Sequence, residues 1–329
     1  MKKILCISTG GTIASLKTDD GLVPTMTGNE LGQKVPELNS ICNVDFMQSF
    51  NMDSTNIRPG HWIKIAEDIK ANYDKYDGFV ITHGTDTMAY TASGLSYIIQ
   101  NSPKPIVLTG SQKSLAEEYT DAKINLIDAF SYACSDKSNG VQIVFSNAVI
   151  NGTRARKNYA KRFMAFGSIN YPVIARVRDG KIIRFITREI KGEPIFADYI
   201  DPNVGLLKLI PGMRNDVMRF AIDKYDGLVI ESFGVGGLPE YSDFFEQIKH
   251  AVDNGKLIVM TTQVPNEGSD LSIYHVGKVL KNKTKILEAY DMTSESALAK
   301  LMWILGRTNK FEEAEKMFYT TVYDDILSV

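Results

Sequence analysis

Apolar and polar positions along this chain alternate between two periods. Short apolar runs at Ile4–Ser8, Val44–Phe50, Gly78–Thr82, Pro105–Thr109 and Val141–Phe145 predict strands. Between them, "GHWIKIAEDIKANYD" and "TMAYTASGLSYIIQN" predict helices. In the second, Met88, Ala92, Leu95, Ile98 and Ile99 recur at helical spacing and define one apolar face. Strands alternating with such helices predict a mostly parallel sheet covered on both sides.

The rhythm then changes. Asn151-Gly152 is a turn signal, and "VIARVRDGKIIRFIT" around Asp179-Gly180 predicts a β-hairpin. Residues 1–190 therefore read as a larger N-terminal domain with a mostly parallel sheet and an antiparallel hairpin. "EIKGEPIFADYIDPN" carries Gly and Pro without periodicity, which places a linker over residues 191–203. From 204 to 329 the alternation resumes through "VGLLKLIPG", "DGLVIESFG", "GKLIVMTTQ" and "TKILEAYDM", with helices between. The closing "SESALAKLMWILG" puts Leu298, Leu301, Met302 and Leu305 on one stripe. This half reads as a smaller flavodoxin-like C-terminal α/β domain, and the fold class as α/β throughout.

Composition narrows the function classes. The 329 residues are 44% hydrophobic and 23% charged, which suits a globular protein of two domains. A net charge of −2 argues against binding nucleic acid through global positive charge. No apolar stretch approaches the roughly 18 residues of a membrane span, and the run after Met1-Lys2-Lys3 is too short for a secretory signal. Cys6, Cys42 and Cys134 are odd in number and scattered, so they read as reduced residues of a cytoplasmic protein. His61, His83, His250 and His275 show no metal-ligand spacing.

Ligands of open α/β sheets sit at the carboxyl ends of the strands. Here those ends read "STGGT", "NMDST", "THGTDT" and "TGSQKS". Hydroxyls, small residues and aspartate recur, as suits a small polar ligand held by hydroxyls and backbone amides. "GGT" followed by "IAS" lacks both the third glycine of a dinucleotide fingerprint and the Gly-Lys-Ser/Thr of a phosphate loop. Thr12 becomes a nucleophile only if a base removes its proton, and a lysine kept neutral by burial or by neighbouring charge can serve. "NGTRARKNYAKR" offers Lys157 and Lys161 among Arg154, Arg156 and Arg162, and spacing does not choose between them. His83 reads as structural, because a threonine–lysine scheme needs no imidazole.

"STGGTIAS" and "ITHGTDTMAYTASGLSYII" resemble the two signature segments of the L-asparaginase family, of the cytoplasmic bacterial type. "MDSTNIRP", "VLTGSQ", "INLIDAF", "SFGVGGLP" and "DMTSESALAKL" follow the same pattern, so the resemblance covers nearly the whole chain. It implies hydrolysis of L-asparagine to L-aspartate and ammonia, with L-glutamine as a weak substrate and no cofactor. Thr12 matches the residue that forms the acyl-enzyme. Thr85, a lysine and Asp86 match the group that activates the nucleophile or the water, and counting back from "FMAFGSINYP" puts that lysine at Lys157. Ser54, flanked by Asp53 and Thr55, matches the site of the substrate α-carboxylate, and Asp86 that of its α-ammonium. Backbone amides near Thr85 and Ser111 match the oxyanion donors.

Two positions depart from the pattern. "SLKTDDGLVPTMTGNE" matches a mobile lid, but Leu22 stands where many members have a tyrosine. Val264 stands where relatives with a regulatory asparagine site have a cysteine. The family's sites form between neighbouring subunits, which implies a homodimer or homotetramer. Two other readings remain: an amidase-like subunit of a tRNA-dependent amidotransferase, and an amino-acid-binding module without turnover. Such subunits carry an additional N-terminal domain, whereas this chain starts at the first candidate strand.

Overall fold

A computed structural model describes residues 1–18 and 21–327. The backbone divides into two compact units, one ending at Asp198 and the other starting at Tyr199. The first is built on an eight-stranded sheet. Strands Asn43–Met52, Lys3–Gly10, Gly78–Thr82, Pro105–Thr109 and Gly140–Phe145 lie side by side and run parallel. Ala148–Asn151, Ala175–Arg178 and Lys181–Arg184 extend the sheet antiparallel. Phe79, Val80, Ile81, Ile106, Val107 and Leu108 are all fully buried, as strands covered on both faces must be.

Both hairpins of this eight-stranded sheet have positive φ at their two turn residues, Ser146-Asn147 and Asp179-Gly180, the geometry that matches strand twist. The Asp-Gly turn was legible in the sequence, whereas Ser146-Asn147 has no glycine to announce it. The turn expected at Asn151-Gly152 is present: Asn151 ends a strand, and Gly152 opens the 3-10 turn Gly152–Arg154 that leads to Lys157. Helix Pro59–Asn72 buries Trp62, Ile65, Ala66 and Ile69. Helix Met88–Ile98 is buried nearly all round rather than on one stripe. Its small residues allow this: a Cβ on Gly94 would lie 2.4 Å from the Trp62 ring.

Within the expected linker, Ile195–Phe196 pairs with Ile99–Gln100 of the first unit. The second unit has four parallel strands, Val204–Lys208, Gly227–Ser232, Leu257–Thr262 and the two-residue Leu287–Glu288. Helix Ser294–Leu305 buries more than its expected stripe, including Lys300, whose Nζ lies 2.6 Å from the equally buried Asp325 carboxylate. The three cysteines are free, and all pack into one core of the first unit despite their distance in sequence. Among the described residues no helix is long and apolar enough to cross a membrane.

Strand register levels the hydroxyl-rich ends. Ser8 pairs with Thr82, Thr82 with Thr109, and Gly10 with Met52. The loops beyond them meet backbone to backbone. Gly10 and Gly11 have φ of 99° and 77°. A Cβ on Gly10 would lie 2.6 Å from Met52 N and O, and one on Gly11 2.3 Å from Gly84 N. Both glycines therefore combine a conformation and a closeness that side chains cannot tolerate.

Asp128, on helix Ala122–Cys134, accepts a backbone hydrogen bond from Asn147. Its Oδ2 has no hydrogen-bond partner among the described residues. Burial pushes the group from 3.8 up to about 6.

Two stability experiments follow from this architecture. Gly11→Ala should destabilise the protein by at least about 2 kcal/mol through positive φ and overlap, read by thermal or urea unfolding. Gly60→Ala has open space around it and should leave the melting temperature unchanged or slightly raised. Equal effects of the two would contradict the close approach. Because the Asp128 carboxyl is raised in the folded state, its stabilising contribution is complete below 3.8, is lost as pH rises through about 6, and stays lost above. The melting temperature of Asp128→Asn relative to wild type should climb across that window and then level, by the equivalent of at most roughly 3 kcal/mol. Parallel curves at all pH values would show that Asp128 does not titrate this way.

Candidate active site

The first strand ends at Gly10, and the chain turns through Gly11 into the 3-10 turn Thr12–Ala14. The Gly11 N–H donates to Met52 O at 3.1 Å, and the Gly11 carbonyl accepts from Ala14 N at 3.1 Å and Ser15 Oγ at 3.0 Å. Thr12 is thus held on a short rigid turn, half-buried, and its hydroxyl has no hydrogen-bond partner among the described residues. The third loop meets the second in the same way. A Cβ on Gly84 would lie 2.6 Å from Ser54 Oγ, and Thr87 Oγ1 donates to Ser54 O at 2.8 Å. The loops carrying Thr12, Ser54 and Thr85 therefore converge on Gly11 and Gly84.

Lys157 reaches this junction from the hairpin Ala155–Lys157 and Phe166–Ser168, where it pairs with Phe166. Its Nζ donates to Thr85 Oγ1 at 2.7 Å and to Asp86 Oδ1 at 2.6 Å. The lysine side chain is 16% exposed and the aspartate 57%. The ammonium end is therefore sheltered, while the carboxylate keeps an open side toward solvent. Thr85 Oγ1 in turn donates to Gln112 Oε1 at 3.2 Å. Lys161 lies exposed in the hairpin loop. The fold brings Lys157, and not Lys161, to Thr85 and Asp86.

The remaining candidates divide by what they can offer. Asp53 Oδ1 accepts from Thr55 N at 2.8 Å and Thr55 Oγ1 at 2.7 Å, which folds the turn around buried Ser54. Ser111 is buried, and its hydroxyl is turned to Lys113 O, leaving its backbone as what it can present. His83 is fully buried: Nδ1–H donates to Gly84 O at 2.7 Å, and Nε2 accepts from Thr91 Oγ1 at 2.9 Å. Burial holds its imidazole down to about 4, so it is neutral and pins the Gly84 turn.

The expected lid forms a hairpin, Ser15–Thr18 paired with Gly21–Pro24. Thr25 N and Met26 N donate to Ala14 O, and Ser114 Oγ donates to Ser15 O, which ties its base to the site. The Leu22 side chain lies outside the described residues. Val264, in the second unit, is 46% exposed. Gln112 and Asp121 were not legible as site residues. Asp121 is buried and accepts the Gln112 and Lys113 N–H groups at 3.0–3.1 Å. Among the described residues no group of His, Cys, Asp or Glu is arranged to hold a metal.

Residues 3–190 match the family model described as asparaginase, N-terminal, and residues 203–318 that of the glutaminase/asparaginase C-terminal domain. An L-asparaginase from Thermococcus kodakarensis is 38% identical over 98% of this chain and 99% of its own length. One subunit of the glutamyl-tRNA(Gln) amidotransferase from Pyrococcus furiosus is 39% identical over 98% of this chain and 76% of its own length. The solved structure of the thermostable L-asparaginase from Thermococcus kodakarensis superposes with a TM-score of 0.93 at 37% identity, covering 99% of this chain and all of that one. The chain belongs to the asparaginase family of amidohydrolases.

Proposed function

We propose that the chain hydrolyses L-asparagine to L-aspartate and ammonia through an acyl-enzyme on Thr12. The observation that carries this reading is the contact of Lys157 Nζ with Thr85 Oγ1 and Asp86 Oδ1, on the loop that Gly11 touches one residue before Thr12. Thr12 Oγ1 attacks the side-chain amide carbon and forms an ester as the C–N bond breaks. The hydroxyl proton passes by way of Lys157 to the amide nitrogen, which leaves as ammonia. Water then cleaves the ester, which frees aspartate and Thr12. Backbone N–H groups near Thr85 and Ser111 face the developing oxyanion, each donor being worth roughly 3–4 kcal/mol in comparable sites.

Recognition follows from charge. Asp86 keeps lone pairs beyond its bond to Lys157 for the α-ammonium, and Ser54 offers a donor to the α-carboxylate. Asp53 and Thr55 hold the Ser54 turn in place. Family membership supports a homodimer or homotetramer, read by light scattering. A second reading rests on the 39% identity to an amidotransferase polypeptide that acts on glutamyl-tRNA(Gln). Ammonia release from free L-asparagine by the purified chain supports hydrolysis. Release that requires a second polypeptide and charged tRNA supports the alternative.

The threonines and the lysine are separable by substitution. Thr12→Ala and Thr85→Ala should each stay folded and lose several decades of kcat, whereas loss of binding alone would mainly raise KM. Lys157→Met should cost about 10²–10⁴ in kcat, the usual share of a positioned acid or base, and Lys161→Met should cost little. Ammonia release and circular dichroism check each variant. A Thr12→Ala enzyme within about tenfold of wild type would sink the scheme.

A further inference from the structure

A side-chain amide has a donor end and an acceptor end, and its surroundings decide which faces where. Gln112 lies between Thr85 and the hairpin loop that follows Lys157. On the loop side its Nε2 faces two carbonyl oxygens, Arg162 O at 3.1 Å and Tyr159 O at 3.5 Å. Carbonyls only accept, so the amide nitrogen must stand there and Oε1 must face Thr85 Oγ1, at 3.2 Å. The backbone of Gln112 is clamped as well, because its N–H donates to both oxygens of buried Asp121.

This orientation has a consequence one residue further on. Thr85 has a single hydroxyl hydrogen, and Gln112 Oε1 takes it. Thr85 Oγ1 can then only accept from Lys157 Nζ. Donation runs one way, from Lys157 to Thr85, to Gln112, to the Arg162 and Tyr159 carbonyls. We infer that Gln112 is a positioning residue that turns the Thr85 hydrogen away from the cleft, so that Thr85 Oγ1 accepts hydrogen bonds from Lys157 and from the attacking hydroxyl, and orients that hydroxyl rather than taking its proton. The inference rests on the asparaginase reading above for its effect on turnover, but not for the hydrogen-bond direction itself. The hairpin loop acquires a role through it: two of its backbone carbonyls set the polarity of the chain.

Two substitutions and one spectroscopic measurement test this. Gln112→Met keeps the bulk and removes the acceptor, so kcat for L-asparagine should fall about tenfold, the worth of one net hydrogen bond. KM should stay within about twofold, and the melting temperature should be close to wild type. Gln112→Glu keeps the acceptor but sets a carboxylate oxygen against the two carbonyls. Protonation restores a donor there, so the ratio of its kcat to that of wild type should rise as pH falls toward the carboxyl range near about 4.3. Wild-type kcat in Gln112→Met would overturn the inference. So would a ratio for Gln112→Glu that does not depend on pH, since a purely structural role would give that. If the wild type releases no ammonia from asparagine, the asparaginase reading fails, and nuclear magnetic resonance decides the inference alone. With glutamine selectively labelled with ¹⁵N, the Gln112 amide hydrogens should show Overhauser effects to the backbone of residues 159–163. Effects to Thr85 instead would mean the reverse orientation and overturn it.

Discussion

The close approach of Gly11 to Gly84 is the constraint on which the candidate site depends. Nothing but backbone separates these loops, since a single Cβ on Gly11 would lie 2.3 Å from Gly84 N. Thr12 follows one glycine and Thr85 the other. Each hydroxyl sits one residue from a contact that cannot slide without a clash, and such fixed placement is what converts neighbouring groups into a reactive set. Strand register makes the approach possible by pairing Ser8 with Thr82, which sets the residues after these two side by side.

Around that junction, charge and neutrality are divided between groups. The sheltered Lys157 amine meets the open Asp86 carboxylate, so one partner faces protein and the other can face a ligand. His83, which the sequence reads as structural, is buried and neutral, and both its ring nitrogens are committed, to Gly84 and Thr91. Asp121 is buried but spends its oxygens on the Gln112 and Lys113 amides. Buried groups near the site therefore hold backbone in place, and the groups with solvent-facing atoms are the ones free to meet substrate.

Strands with continuous apolar runs were legible, because burial on both faces leaves no polar position in Phe79–Ile81 or Ile106–Leu108. The candidate site residues at their ends were legible as hydroxyl clusters, and the family resemblance proposed a role for each. Other features depend on partners far along the chain. Choosing Lys157 over Lys161 from the residues alone requires the pairing of Lys157 with Phe166. Gln112 gains meaning only from two carbonyls in a loop some fifty residues away. Lys300 lies in an apolar stripe with no sign that Asp325 will meet it in the core. The cysteines were scattered in sequence and gathered by the sheet. The all-round burial of Met88–Ile98 reflects the space left by Gly94 beneath Trp62, which no periodicity reports.

The central claim is that Thr12 is the residue that carries the acyl group. The direct measurement mixes the purified protein with L-asparagine, quenches in acid during turnover and maps the modified peptide by mass spectrometry. The account predicts an aspartyl group in ester linkage on Thr12, in the peptide that contains Gly10 and Gly11. An aspartyl group on Thr85, or on any residue other than Thr12, contradicts it.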